Sequence, residues 1–289
     1  MMLVLSDRAL DELLAQDVPQ GDLTTRMLGI GDAAAALSFA PRQPCVIAAI
    51  EEAERLFQRV GATTRRSCDS GAAVDPGTVV LTVAGPAEAL HQAWKVAQTL
   101  VEYASGIATR TRRIVSAARA VAPEIVVAAT RKNFPGTKEI SSKSVLAGGG
   151  VMHRLGLSET LLVFPEHRLF LDDGAAGSRA WIAALKRRQP EKKVVVETDS
   201  VEEALALAQA GVDVIQLEKL APDQVAAVVT RLRGSAAAAP GAAPVVAAAG
   251  GIDDGNAAAY AATGCDVLVT SAPYFGKPLD IQVKFRRNP

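Results

Sequence analysis
Between Ala129 and Gly156 the chain carries Arg131, Lys132, Lys138, Lys143 and Arg154 against one acid, Glu139. The planar fork of arginine donates hydrogen bonds in pairs, so such a stretch attracts carboxylate or phosphate. The whole chain holds 31 Lys+Arg and 31 Asp+Glu, so the cationic excess is local. That balance argues against a general nucleic-acid binder or a membrane-surface protein. The stretch reads as a polyanion site, and other residues must say which polyanion.

The elements that position these residues follow from hydrophobic periodicity. Apolar runs at Ile125–Thr130, Thr160–Phe164, Val194–Thr198, Val214–Glu218, Val245–Ala249 and Val267–Ser271 predict strands. Val201–Ala210, Pro222–Arg233 and Asn256–Thr263 are amphipathic and of helix length. Strands alternating with helices imply a parallel sheet, closed as a barrel or doubly wound.

The first third has a different pattern. Ser6 is a helix N-cap candidate, followed by a turn-rich break at Asp17–Asp22. Short strands are expected at Ala34–Ala40, Cys45–Ala48, Thr63–Cys68 and Thr78–Val83, with a helix from Glu51 to Val60. This is an α+β unit with antiparallel strands. A long helical segment, Pro86–Ala120, comes next, with a kink or break expected at Ser105-Gly106. Gly234–Pro244 reads as a flexible loop and Pro273–Pro289 as a basic tail that packs back on the first unit.

The chain's 289 residues suffice for one large domain or two smaller ones. Cys45, Cys68 and Cys265 are odd in number and lack a C-x-x-C spacing, which argues against a disulfide framework or thiolate cage. They suit a reducing compartment. Met1 to Asp11 lacks the basic region and apolar core of an export signal. No apolar run reaches the roughly 20 residues that span a bilayer. A cytoplasmic location is the expectation.

In β/α barrels the reacting groups gather at the C-terminal ends of the strands. Those ends are Arg131-Lys132, Glu197, Glu218, Gly250-Gly251 and Ser271. Taken singly, each has a plainer reading. Arg131-Lys132 fits a solvated loop, Glu218 a surface ion pair with Lys219, Gly250-Gly251 a tight turn and His153 a structural histidine. Glu197, after three valines, is harder to dismiss, because an acid at a buried strand end is costly unless paired or used.

Taken together they describe one mouth. Two acids suit Mg²⁺ held partly through substrate phosphates. Glycine N–H groups before a helix suit a 5′-phosphate, and the arginines suit a second anion. A phosphorylated sugar carrying Mg-diphosphate, plus an anionic acceptor, meets all three demands. No G-x-S-x-G and no Cys–His pair offers a nucleophile. Gly29-Ile30-Gly31 opens a G-x-G pattern without a strand before it or a helix directly after, which favours a plain turn.

The order and spacing of several segments resemble the quinolinate phosphoribosyltransferase family (nicotinate-nucleotide pyrophosphorylase, carboxylating) over nearly the whole chain. They are Asp17-Val18-Pro19-Gln20-Gly21-Asp22-Leu23-Thr24-Thr25, Ser105-Gly106-Ile107-Ala108-Thr109, Thr130-Arg131-Lys132 with Pro135-Gly136, Gly148-Gly149-Gly150 with His153-Arg154-Leu155-Gly156-Leu157, and Ala249-Gly250-Gly251-Ile252.

The resemblance implies an N-terminal α/β sandwich domain over 1–105 and an open (β/α) barrel of the type II phosphoribosyltransferase kind over 106–272. The tail 273–289 would return to the first domain. It implies a homodimer, or a higher oligomer, whose active sites borrow residues from the partner. Lys132, Glu197 and Glu218 would be the catalytic residues. Arg131, Lys132, His153 and Arg154 would hold the acceptor's carboxylates and the diphosphate. Glu197 and Glu218 would face the ribose hydroxyls and Mg²⁺, directly or through water. Gly250, Gly251, Ser271 and Ala272 would cradle the 5′-phosphate of phosphoribosyl diphosphate.

Departures from the family pattern fall on the acceptor side. Lys95 stands where an arginine reaches across the dimer, keeping charge but losing the fork. Phe164 replaces a site lysine in Val163-Phe164-Pro165-Glu166-His167, removing a counter-charge for a dicarboxylate and offering a stacking face. Glu218 replaces an aspartate, and Ala247 and Ala249 replace a glutamate and a serine. With Arg131-Lys132-Asn133-Phe134-Pro135-Gly136, these changes look most like the ModD branch, named for its association with molybdate transport.

The expectation is a pentosyltransferase acting on a quinolinate-like aromatic acid or a related substrate of molybdenum metabolism. The partners are then small molecules, not nucleic acid or membrane. Two rivals are strict quinolinate activity, and a catalytically weak phosphate-ligand-binding or regulatory protein on the same fold.

Overall fold
The structure is a computed structural model, and it describes residues 4–171, 177–236 and 243–287. Most of the loop expected at Gly234–Pro244 lies outside the described residues. The chain divides into two compact units. One takes Met1–Arg112, Asn133–Gly149 and Pro273–Pro289; the other takes Arg113–Lys132 and Gly150–Ala272.

The first unit contains an antiparallel sheet in the order Ile281–Arg287, Ala34–Pro41, Leu81–Pro86, Thr63–Arg66. Phe39, Ile50, Leu56, Phe57 and Leu90 are fully buried in its core. Ser6 caps the helix Asp7–Asp17 by accepting from the Ala9 N–H. Three local expectations need correction. The strand expected at Thr78–Val83 runs from Leu81 to Pro86, because the turn at Asp75–Thr78 delays its start. A further helix, Leu23–Leu28, follows the turn-rich break; Asp22 caps it by accepting from the Thr24 N–H and the Thr25 hydroxyl. Gly29, at φ 62°, ends that helix, so Gly29-Ile30-Gly31 begins as a C-cap.

The third correction concerns Ser105-Gly106. The helix Ala87–Arg119 runs through this pair unbroken. Ser105 Oγ accepts from the Ala48 N–H at 2.9 Å, and Thr109 Oγ1 accepts from the Val46 N–H at 2.9 Å. A Cβ on Gly106 would lie 2.3 Å from the Lys277 carbonyl oxygen. The glycine permits a close backbone approach rather than a bend.

The charge of Lys143 also changes meaning. It is 1 % exposed, and its Nζ lies 2.8 and 2.6 Å from the two Glu52 carboxylate oxygens and 2.9 Å from Glu51. It is therefore a buried structural cation of the first unit. The excess of cations between Ala129 and Gly156 is smaller than it looks in sequence.

The second unit is a seven-stranded parallel sheet. Its order is Val151–Met152, Val126–Ala129, Val267–Thr270, Val245–Ala249, Val214–Glu218, Val194–Thr198, Leu161–Val163. The two edge strands are not paired with each other, which leaves an open half-barrel. One face packs on helices: Val127, Val194, Val196, Ile215, Leu217, Val246, Ala248 and Leu268 share a core with Ile114, Ile182, Leu207, Val225 and Tyr260. Full burial of such side chains contributes about 1.5–3 kcal/mol each. The intervening residues face the other way, where Ala247, Ala249 and Val269 form a separate small cluster.

Aspartates pin the strand register at the ends away from the expected site. Asp213 accepts from the Val194 N–H at 2.8 Å and Asp266 from the Val246 N–H at 2.8 Å. Among the described residues no helix is long and apolar enough to cross a membrane.

Candidate active site
Parallel pairing dictates which polar groups meet. Glu197 stands in register with Gln216, Gln216 with Ala247, and Glu218 with Ala249. Side chains alternate along a strand, so Glu197, Gln216 and Glu218 share the face turned from the helices, over small alanines. Gln216 Nε2 donates to Glu197 Oε2 at 2.6 Å.

Glu197 holds its proton more tightly than an ordinary glutamate. Burial raises its pKa first; the Gln216 hydrogen bond opposes this, Glu218 and Glu166 raise it further, and Lys132 lowers it. That pattern places Lys132 and Glu218 within electrostatic reach of Glu197. The strand end is pinned from outside, where Arg168 pairs with Glu203 and donates to the Glu197 carbonyl at 3.3 Å.

Gly250 is fixed by contact as well as by conformation. Its φ is +88°, and a Cβ there would lie 2.6 Å from Lys219 Cγ and 3.0 Å from Glu218 Oε1. Only glycine lets the end of Val245–Ala249 pass so close to Glu218. Gly251, at φ +71°, continues the turn, and Asn256 holds its carbonyl at 2.9 Å. Ser271 Oγ lies 2.7 Å from Thr130 Oγ1, joining two strand ends. The Ala272 N–H already donates to Thr270 Oγ1 at 2.9 Å, so its backbone donor is engaged within the fold.

The cationic side has its own geometry. His153 N–H donates to the Ala129 carbonyl at 2.9 Å, which sets His153 and Arg154 beside Thr130-Arg131. Arg154 is 6 % exposed. Burial and the neighbouring Arg131 charge lower its pKa, with Glu159 opposing. The His153 pKa is likewise lowered, by burial and then by Arg154, which favours the neutral imidazole. Arg154 Cζ stands 5.7 Å from the centroid of the Phe164 ring. That ring stacks on His167 at 5.6 Å, and His167 Nδ1 accepts the Phe164 N–H at 3.0 Å.

The structure thus brings together Arg131, His153, Arg154 and Phe164 on one side, and Lys132, Glu197, Glu218 and Gly250 on the other. Lys95 belongs to the first unit, with its ammonium 4.2 Å from the Trp94 ring centroid. Sequence reading passed over Gln216, and it named Thr130 in a motif without giving it a role. Gln216 could have been found: it is the one amide in the run Val214–Glu218, two residues before an acid and so on the same face.

An all-protein metal cage is not assembled, since no group of three or more His, Cys, Asp or Glu suited to a metal occurs among the described residues. The oxygen pair Glu197 and Glu218 nonetheless fits Mg²⁺, which commonly takes one or two carboxylates and completes its shell with water and substrate phosphates.

Residues 22–105 match the quinolinate phosphoribosyl transferase N-terminal domain and residues 107–284 the C-terminal domain. A Rhodobacter capsulatus protein named "Putative pyrophosphorylase ModD" is 48% identical over 241 residues, 82% of this chain and 92% of that protein. A Synechocystis protein named "Probable nicotinate-nucleotide pyrophosphorylase (carboxylating)" is 32% identical, covering 99% of this chain and 94% of its own. The crystal structure of NadC from Streptococcus pyogenes superposes with a TM-score of 0.87 at 24% identity, covering 99% of each chain, and so shares the fold. The strand-end constellation and both domain matches lead to one conclusion: the chain belongs to the quinolinate phosphoribosyl transferase family.

Proposed function
We propose that the chain moves ribose 5-phosphate from phosphoribosyl diphosphate to a ring nitrogen of an aromatic acid. The observation that carries this reading is a pair of like-charge encounters at the ends of one parallel sheet. The His153 N–H on the Ala129 carbonyl sets Arg154 beside Thr130-Arg131, and the strand register sets Glu197 beside Gln216, with Glu218 two residues on along the same face. Each pair repels itself when empty. Together they complement a ligand set that offers anions to one side and a developing cation to the other.

In this reading Gly250, Gly251 and the Ser271 hydroxyl hold the 5′-phosphate. The backbone N–H of Ala272 takes no part unless Thr270 releases it. Lys132 and Arg131 face the departing diphosphate. Glu197 and Glu218 face the ribose, where their carboxylates stabilise positive charge that develops at C1 as the diphosphate leaves. Mg²⁺ bound with the diphosphate would neutralise the leaving group. Arg154 and His153 orient the acceptor's carboxylate beside C1, turning an encounter into a positioned reaction.

Phe164 makes this acceptor pocket different from one built for two carboxylates. A ring over Arg154 offers a stacking face and no second counter-charge. The reading therefore favours a monocarboxylate aromatic acceptor or a related substrate of molybdenum metabolism. It includes a homodimer in which Lys95 serves the neighbouring copy's site, acting in a reducing cytoplasm.

The test supplies phosphoribosyl diphosphate and Mg²⁺ with a panel of aromatic acids and follows diphosphate release. Release with one acceptor supports the reading. Binding of phosphoribosyl diphosphate without release for any acceptor would replace it with that of a binding or regulatory protein.

A further inference from the structure
Gln216 is 5 % exposed, and its amide nitrogen holds Glu197 Oε2 at 2.6 Å. Its Oε1 is buried and finds no hydrogen-bond partner among the described residues. An ionised carboxylate only accepts, so in that form the amide nitrogen is the atom that faces it. Among the described residues this is the one hydrogen bond that reaches the Glu197 carboxylate.

Packing does not explain this side chain. Burying a carbonyl oxygen without a partner costs stability. A methionine would fill nearly the same space beside Ala247 without that cost. Charge explains the choice better. Glu218 and Glu166 both act on Glu197, and repulsion favours turning its carboxylate away from them. A lysine or arginine at position 216 would fix the carboxylate but cancel its charge. A neutral amide fixes it and leaves the negative charge for a ligand.

We propose that Gln216 is a positioning residue that aims the Glu197 carboxylate into the strand-end site, at a cost in fold stability. The task given to Glu197 rests on the phosphoribosyl-transfer reading; the aiming itself does not.

The test compares wild type with Gln216→Met, Gln216→Asn and Gln216→Glu. Three measurements are made: thermal midpoint, calorimetric affinity for Mg²⁺-phosphoribosyl diphosphate, and the crystallographic position of Glu197. Gln216→Met should melt at or above the wild-type temperature, yet bind about tenfold more weakly, the scale of one hydrogen bond to a charged group. Its Glu197 carboxylate should leave the wild-type position. Gln216→Asn, one methylene shorter, should lose binding similarly, and Gln216→Glu should lose more, because two carboxylates would then meet.

A Gln216→Met protein that melts several degrees lower with Glu197 unmoved would overturn the proposal. Unchanged ligand affinity would do the same. If wild type itself does not bind Mg²⁺-phosphoribosyl diphosphate, the functional reading fails, and the Glu197 position in the Gln216→Met crystal alone decides the aiming role.

Discussion
The guanidinium carbon of Arg154 lies 5.7 Å from the centroid of the Phe164 ring, with His167 stacked on the same ring. This cluster places an aromatic surface beside the cation that would receive the acceptor's carboxylate. Phe164→Lys should convert it into a site for two carboxylates. Quinolinate affinity should rise about tenfold or more, in line with a charge-assisted hydrogen bond of roughly 1.5–3 kcal/mol. Calorimetry with quinolinate measures this, and an unchanged constant would remove Phe164 as the determinant of acceptor charge.

Arg154 is buried beside a like charge, an arrangement that costs stability when no anion is present. Arg154→Met should leave the melting temperature unchanged or higher while weakening acceptor binding about tenfold or more, because the charge-assisted contact proposed for its guanidinium would be lost. A melt showing marked destabilisation would indicate a structural cation instead.

Gly250→Ala forces a side chain into a φ of +88° and places its Cβ 2.6 Å from Lys219 Cγ. Backbone strain of this kind costs about 1–3 kcal/mol. The expected result is a lower melting temperature together with loss of phosphoribosyl diphosphate binding, because Glu218 and the turn proposed to hold the phosphate would move together. Binding at wild-type strength would show that the turn can shift without consequence for the site.

The buried cation of the first unit gives a stability prediction. Lys143→Met leaves Glu51 and Glu52 facing each other without their shared partner, and loss of one partner of a buried pair costs about 3–5 kcal/mol. Urea unfolding would register it as a lower midpoint at similar slope.

The same network sets a pH dependence. Burial works against ionisation of Glu51, but the hydroxyl and N–H of Ser70 and the Lys143 ammonium outweigh it and hold the carboxyl at about 2. A depressed carboxyl contributes stability that is complete above its unfolded value, about 4.3, and is lost as pH falls through the folded one. Thermal melts between pH 5 and pH 2 should therefore drop in wild type and drop less in Glu51→Gln. Parallel curves would exclude Glu51 as a source.

Legibility in the sequence followed the range of each interaction. Val194–Thr198, Val214–Glu218 and Val245–Ala249 are observed with the boundaries their apolar runs predict, because buried parallel strands are apolar without alternation. Glu197 and Glu218 stood out as charges ending such runs. Lys143 misled, because the carboxylate that answers it lies 91 residues away in the chain. Ser105-Gly106 misled for the same reason: the Lys277 carbonyl that demands the glycine is remote in sequence. Gln216 was overlooked because it carries no charge; only its two-residue spacing from Glu218 marks the face the two share.

The pairing of Ala34–Pro41 with Ile281–Arg287 has a consequence for biosynthesis. Ala35 meets Arg287 and Pro41 meets Ile281, so one edge of an early strand waits until Ile281–Arg287 have left the ribosome. Until then that strand presents open backbone donors and acceptors, the form of surface that invites pairing with other chains. Ribosome-bound chains stopped before Ile281 should be the aggregation-prone stage in this protein's life.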